Sequence, residues 1–220
     1  MLLRRLQELL TGIYDLPIDC DVCDFVTSDR QLLPEHLRSC GTDEQLLVRP
    51  GADEVAMTLF LDAALLERLE QADPLAELHG RNLGDFWTVL EGVSHFVCVA
   101  WNAGHDRDVS MLELEMQAEI DKYVVSCWLL RRQSPGRFPS ELHPLLFEQT
   151  RVDPRLAGER VGLYRAATRY AARFCRDVER RLRRDDRQGA ALAVAEPVLR
   201  RFYRLPGRSK LEFIAVAAAS

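Results

Sequence analysis

The sequence predicts an α+β fold, predominantly α: a helical bundle with a central antiparallel helix hairpin and a small N-terminal β region. Three observations point there. From Leu83 to Leu130, apolar residues recur at three- and four-residue steps, the repeat of a helix. The segment Ala103-Gly-His-Asp-Arg-Asp108 divides that stretch with a turn too short for anything but an antiparallel pair. In the N-terminal part, Leu46–Val48 and Val55–Leu61 flank Pro50-Gly-Ala-Asp53 as the arms and turn of a hairpin. One domain over 1–220 is expected, with 1–61 carrying the sheet and 62–220 the bundle.

Leu2 to Leu10 reads as a short amphipathic helix ending near Gly12. Asp15 to Asp29 suggests a strand, since Val22, Phe25 and Val26 favour extended backbone. Pro34 interrupts any helix between Gln31 and Ser39. Glu44 to Asp62 reads as a hairpin with arms at Leu46–Val48 and Val55–Leu61 and a turn at Pro50-Gly-Ala-Asp53. Asp62 caps a helix reaching Ala72, and Asp73-Pro74 starts a further helical turn. After the central hairpin, Arg131 to Pro139 is a linker and Ser140 to Gln149 a short helix. Asp153-Pro154 opens the longest helix, which runs to Arg184 on a core stripe of Tyr164, Ala167, Ala171, Phe174, Val178 and Leu182. Gln188 to Tyr203 is one more helix, kinked at Pro197, and a short element from Lys210 to Val216 ends the chain.

The central hairpin carries polar strips beside its apolar seams. On the first helix the strip is Asp85, Thr88, Glu91, His95 and Asn102, with Gly84 and Gly92 alongside. The second helix starts at a capping box of Ser110 and Glu113. One of its strips is Glu115, Glu119, Lys122 and Ser126; the other is Glu113, Gln117 and Asp121. Such strips are ordinarily solvent faces. Turned inward, equal distances from the turn would bring Glu91, His95, Glu113, Gln117 and Asp121 to one level, with three carboxylates to neutralise. Glu91, His95, Glu113 and Asp121 are then the candidate ligands of a divalent metal. The four-residue Glu91–His95 spacing differs from the three-residue spacing of ferritin-like di-metal bundles, and no second copy occurs.

The net charge of -5 conceals an asymmetry. Residues 1–150 hold 12 basic and 26 acidic side chains, and residues 151–210 hold 17 and 7. Arg165, Arg169, Arg173, Arg176 and Arg180 line one flank of the longest helix. The leading expectation is a non-enzymatic interaction or regulatory protein. It would engage a protein partner, or a second copy of itself, through the acidic half and this arginine row, with no cofactor. A metal-binding protein or metal-dependent enzyme built on the hairpin strip is the alternative. Nucleic-acid binding by the arginines ranks below both, because the balance is acidic and no aromatics interleave. Cys20-x-x-Cys23 followed by His36-x-x-x-Cys40 has zinc-site spacing, but the run is strand-like and Pro34 precedes His36, so no zinc is expected there. No signal peptide or membrane-length apolar run is read, so a cytoplasmic protein without membrane contact is expected.

Overall fold

The structure, a computed structural model, describes residues 1–39, 41–51, 55–149, 158–184 and 192–217. Cys40, positions 52 and 53 of the hairpin turn, the Asp153-Pro154 helix start and residues 188–191 lie outside the described residues. Among those described, the chain forms nine α-helices and one three-stranded sheet, an α+β fold that is predominantly α. No described helix is long and apolar enough to cross a membrane. The chain divides into two compact units, residues 1–11 with 16–108 and residues 12–15 with 109–220. One boundary falls in the turn between the two long central helices and another after Thr11, so each central helix belongs to its own unit.

The first unit is a sheet against helices. Helix α1, Leu2–Tyr14, buries Leu3, Leu6 and Leu10 and runs past the expected stop at Gly12. The strand expected over Asp15 to Asp29 is only β1, Val26–Thr27. The Asp21 carboxylate accepts from Cys23 N at 2.9 Å and starts a 3-10 turn over Val22–Asp24, a local bond that competes with extended pairing. After Pro34 comes one helical turn, α2, Glu35–Arg38. Strands β2, Glu44–Pro50, and β3, Val55–Leu61, pair antiparallel with Glu44 opposite Leu61 and Leu46 opposite Leu59; β1 joins β3 in parallel. Asp62 caps α3, Ala63–Gln71, as the sequence indicates. Asp73 makes only a turn, in which its side chain accepts from Leu75 N at 2.9 Å. Helix α4, Leu83–Ala103, lies on β2 and β3 and buries an unbroken run from Gly92 to Val99.

The second unit is helical. Helix α5, Met111–Gln133, begins at the Ser110–Glu113 capping box. Its polar residues do not form a solvent face: Glu115, Gln117, Asp121, Lys122 and Ser126 are all buried. Helix α6, Leu142–Phe147, is pinned to the next helix by His143, whose Nε2 lies 3.0 Å from the Ala172 carbonyl oxygen. Helix α7, Gly158–Arg184, packs along α5 and buries Ala167, Ala171, Phe174, Val178 and Leu182. Pro197 is not a kink. It sits in the first turn of α8, Glu196–Arg204, where a missing N–H costs nothing. Helix α9, Gly207–Ala217, completes an aromatic cluster in which Phe174 stacks on Phe202 at 4.0 Å and Phe213 lies 5.8 Å from Phe202.

Candidate metal centre

Glu91 and His95 stand one helical turn apart on α4, so both side chains leave the same side of that helix. The sheet meets α4 on this side. Directly opposed residues of an antiparallel pair project to one face, so Glu44 and Leu61 share a face with Leu46 and Leu59. Gly92 marks the contact. A Cβ at Gly92 would stand 2.9 Å from Glu44 Cγ, 2.9 Å from Leu59 Cδ1 and 3.2 Å from Glu44 Oε1. A glycine in a helix interior costs about 1 kcal/mol relative to alanine. Here the absent methyl group lets the strand approach the helix backbone.

The result is a cluster of mixed ligand types. His95 Nδ1 lies 3.6 Å from Glu44 Oε1. One ligand atom from each of Glu44, Glu91 and His95 lies within 4.8 Å of the others. His95 is buried, with 5 % of its surface exposed, and both glutamates are partly covered. Ligand atoms at ~2.1 Å from one tetrahedral ion stand about 3.4 Å apart, so any pair near the 4.8 Å limit would have to draw in by roughly 1 Å. An ion ~2.1 Å from both Nδ1 and Oε1 would see their 3.6 Å edge at roughly 120°, within the range of open three-ligand sites. Two carboxylates this close repel each other when ionised, and a divalent cation removes that repulsion.

Two other sequence candidates have partners inside the second unit. Asp121 accepts a short hydrogen bond from the Tyr14 hydroxyl and another from Gln117 Nε2 at 2.8 Å. Gln117 Nε2 also lies 3.2 Å from the Tyr14 oxygen. Burial, and then the neighbouring Asp121 charge, hold the Tyr14 hydroxyl well above its ordinary pKa, so it remains a proton donor. Neutral donors thus solvate Asp121 in the way water would. Glu113 Oε2 accepts from Ser110 N at 3.2 Å and from Ser110 Oγ at 3.0 Å. The same carboxylate lies against the first residue of α9, where a Cβ on Gly207 would meet Glu113 Oε1 at 2.8 Å.

The arginine row is placed as the sequence spaces it: Arg165, Arg169, Arg173, Arg176 and Arg180 are all exposed along α7. Cys20 and Cys23 are half-buried, and burial pushes both thiols up from their ordinary pKa. Comparison with known proteins returns no matching family model, no matching curated protein and no matching solved structure. Glu44 is the member of this cluster that reading the sequence missed. Its only sequence signal is indirect: Gly92, a glycine inside a strongly apolar helix, announces a close neighbour without naming it.

Proposed function

We propose that the first unit binds one divalent first-row transition metal ion through Glu44, Glu91 and His95. The convergence of an imidazole and two carboxylates from a strand and a helix, at a point opened by Gly92, carries this reading. Imidazole nitrogen with carboxylate oxygen suits Mn²⁺, Fe²⁺ or Zn²⁺ better than Cu⁺, which prefers sulfur, or Ca²⁺, which prefers oxygen alone. Three protein ligands leave positions for water or a small oxygen donor. A metal held this way can act as a Lewis acid and acidify a bound water.

Metal titration of the chelator-treated full chain by calorimetry, with Mn²⁺ and Zn²⁺ in turn, tests the reading. One equivalent should bind. Glu44→Gln and His95→Ala should each weaken binding by about 100-fold or more, beyond the range seen for supporting residues. Far-ultraviolet circular dichroism should stay unchanged. Cys20→Ser/Cys23→Ser should bind as the parent does, which separates this site from the cysteines. Binding that survives Glu44→Gln, or no binding at millimolar metal, would reduce the cluster to a histidine–glutamate ion pair.

A further inference from the structure

The outer face of α7 carries charge that the metal reading does not use. Gly158–Arg184 contains nine arginines, three acidic residues and no lysine. At about 100° per residue, Arg165, Arg169, Arg173, Arg176 and Arg180 fall within an arc of roughly 80°. At about 1.5 Å per residue they extend over roughly 22 Å. All five are exposed, and the opposite face is the buried stripe from Ala167 to Leu182. The row therefore faces outward along much of the helix's length.

Its members differ in their partners. Arg176 takes a carboxylate from outside the helix, Glu148, at 2.9 Å. Arg180 takes Asp177 at 3.2 Å. Arg169 lies over the ring of Tyr170, 5.3 Å from its centre. Among the described residues, no carboxylate stands at ion-pair distance from Arg165, Arg169 or Arg173. These three are spaced i, i+4, i+8, with a rise of about 6 Å between neighbours. An α-helix with acidic residues at i, i+4, i+8 has the same rise, so two such helices lying side by side match charge for charge. The planar guanidinium fork bonds carboxylates bidentately, which lysine does not.

We infer that the Arg165–Arg180 face of α7 is a docking surface for an acidic helix of a partner protein. Arg176 Nη2–Glu148 Oε1, a single contact of 2.9 Å, already shows an arginine–carboxylate pair on this face. The overall charge of -5 works against long-range attraction of a polyphosphate, and a protein helix with a few carboxylates meets less of that opposition.

The test uses the full chain and a labelled alanine-based helical peptide bearing glutamates in the i, i+4, i+8, i+11, i+15 pattern of the row. A peptide of the same composition with scrambled spacing is the control. Fluorescence anisotropy at about 20 mM salt should show the patterned peptide bound at least several-fold more tightly than the scrambled one, with binding lost towards about 200 mM. Arg165→Glu/Arg169→Glu/Arg173→Glu should weaken binding about 10-fold or more. Arg81→Glu/Arg137→Glu/Arg208→Glu, with the same change in charge at exposed sites elsewhere, should leave it nearly intact. Equal loss in both triple variants, equal binding of both peptides, or no binding at all would overturn the inference. So would an oligothymidylate of equal charge that binds more tightly and through the same three arginines, which would make the face a nucleic-acid surface.

Discussion

At Gly92 a hydrogen stands where every other residue carries a Cβ, and Glu44 reaches His95 beside that gap. Gly92→Ala puts a Cβ 2.9 Å from both Glu44 Cγ and Leu59 Cδ1. Leu59 is wholly buried, whereas the Glu44 side chain retains 12 % of its surface exposed, so Glu44 is the neighbour expected to give way. The expected outcome is a loss of metal affinity of at least about 10-fold. Overpacking of about 1–3 kcal/mol should be partly offset by the ~1 kcal/mol helix preference of alanine. Calorimetric titration beside a urea melt checks both; unchanged affinity would remove Glu44 from the ligand set. Glu91 and His95 were legible in the sequence because their relation is local, one turn of one helix. Glu44 was not, because its relation to them depends on which face of the sheet meets α4. Glu113 and Asp121 were legible as polar residues on an apolar helix: Glu113 closes the capping box the sequence announces, whereas Asp121 is answered by Tyr14, which the sequence does not announce.

At the scale of elements, caps and turns carried the most information. Ser110–Glu113 and Asp62 begin helices where the sequence places them, because a side-chain oxygen satisfies an N–H within the same few residues. The missed strand over Asp15 to Asp29 has the same kind of cause: Asp21 captures the Cys23 N–H, and local bonding wins over β propensity. Asp62 does more than cap α3. Its carboxylate also accepts from Arg30 Nη2 at 2.6 Å, and the Arg30 guanidinium lies 5.0 Å from the centre of the buried Phe60 ring. The Arg30 hydrogen bond is the main reason the Asp62 carboxyl sits below its ordinary pKa. A carboxyl lowered in the folded state adds stability above its unfolded value of ~3.9, and that stability is lost as pH falls through the folded value. Asp62→Asn keeps a capping oxygen and removes the charge, so it should cost up to about 1 kcal/mol at pH 7, a modest figure because both partners are partly exposed. The difference from the parent should begin to shrink below about pH 4 and close once the pH lies below the folded value. Urea melts at the two pH values check this; a gap that persists in acid would show that the charge is not what matters.

At the scale of the molecule, the acidic and basic halves resolve into units. The first holds 8 basic and 19 acidic residues, the second 21 and 15. The polarity was legible by counting. The seam was not, because an apolar stripe on a helix does not name its neighbour: α4 packs with β2, β3 and α3, and α5 packs with α6 and α7. This division makes the metal reading testable without any assay of activity. A ligand that binds only the folded state stabilises it by RT ln(1 + [L]/Kd), about 2.7 kcal/mol at 100 times Kd. For backbone amides that exchange only when the metal site opens, this slows exchange about 100-fold. Hydrogen exchange of the full chain, with and without saturating Mn²⁺, should therefore show that slowing in β2, β3 and the Gly92–Val99 segment of α4. The Ala167–Leu182 segment of α7 should change little, since no proposed ligand lies in its unit. Slowing confined to α7, or absent from β2, would place the ion elsewhere. Equal slowing throughout would mean that the two units open as one, and His95→Ala should then abolish it everywhere if Glu44, Glu91 and His95 hold the ion.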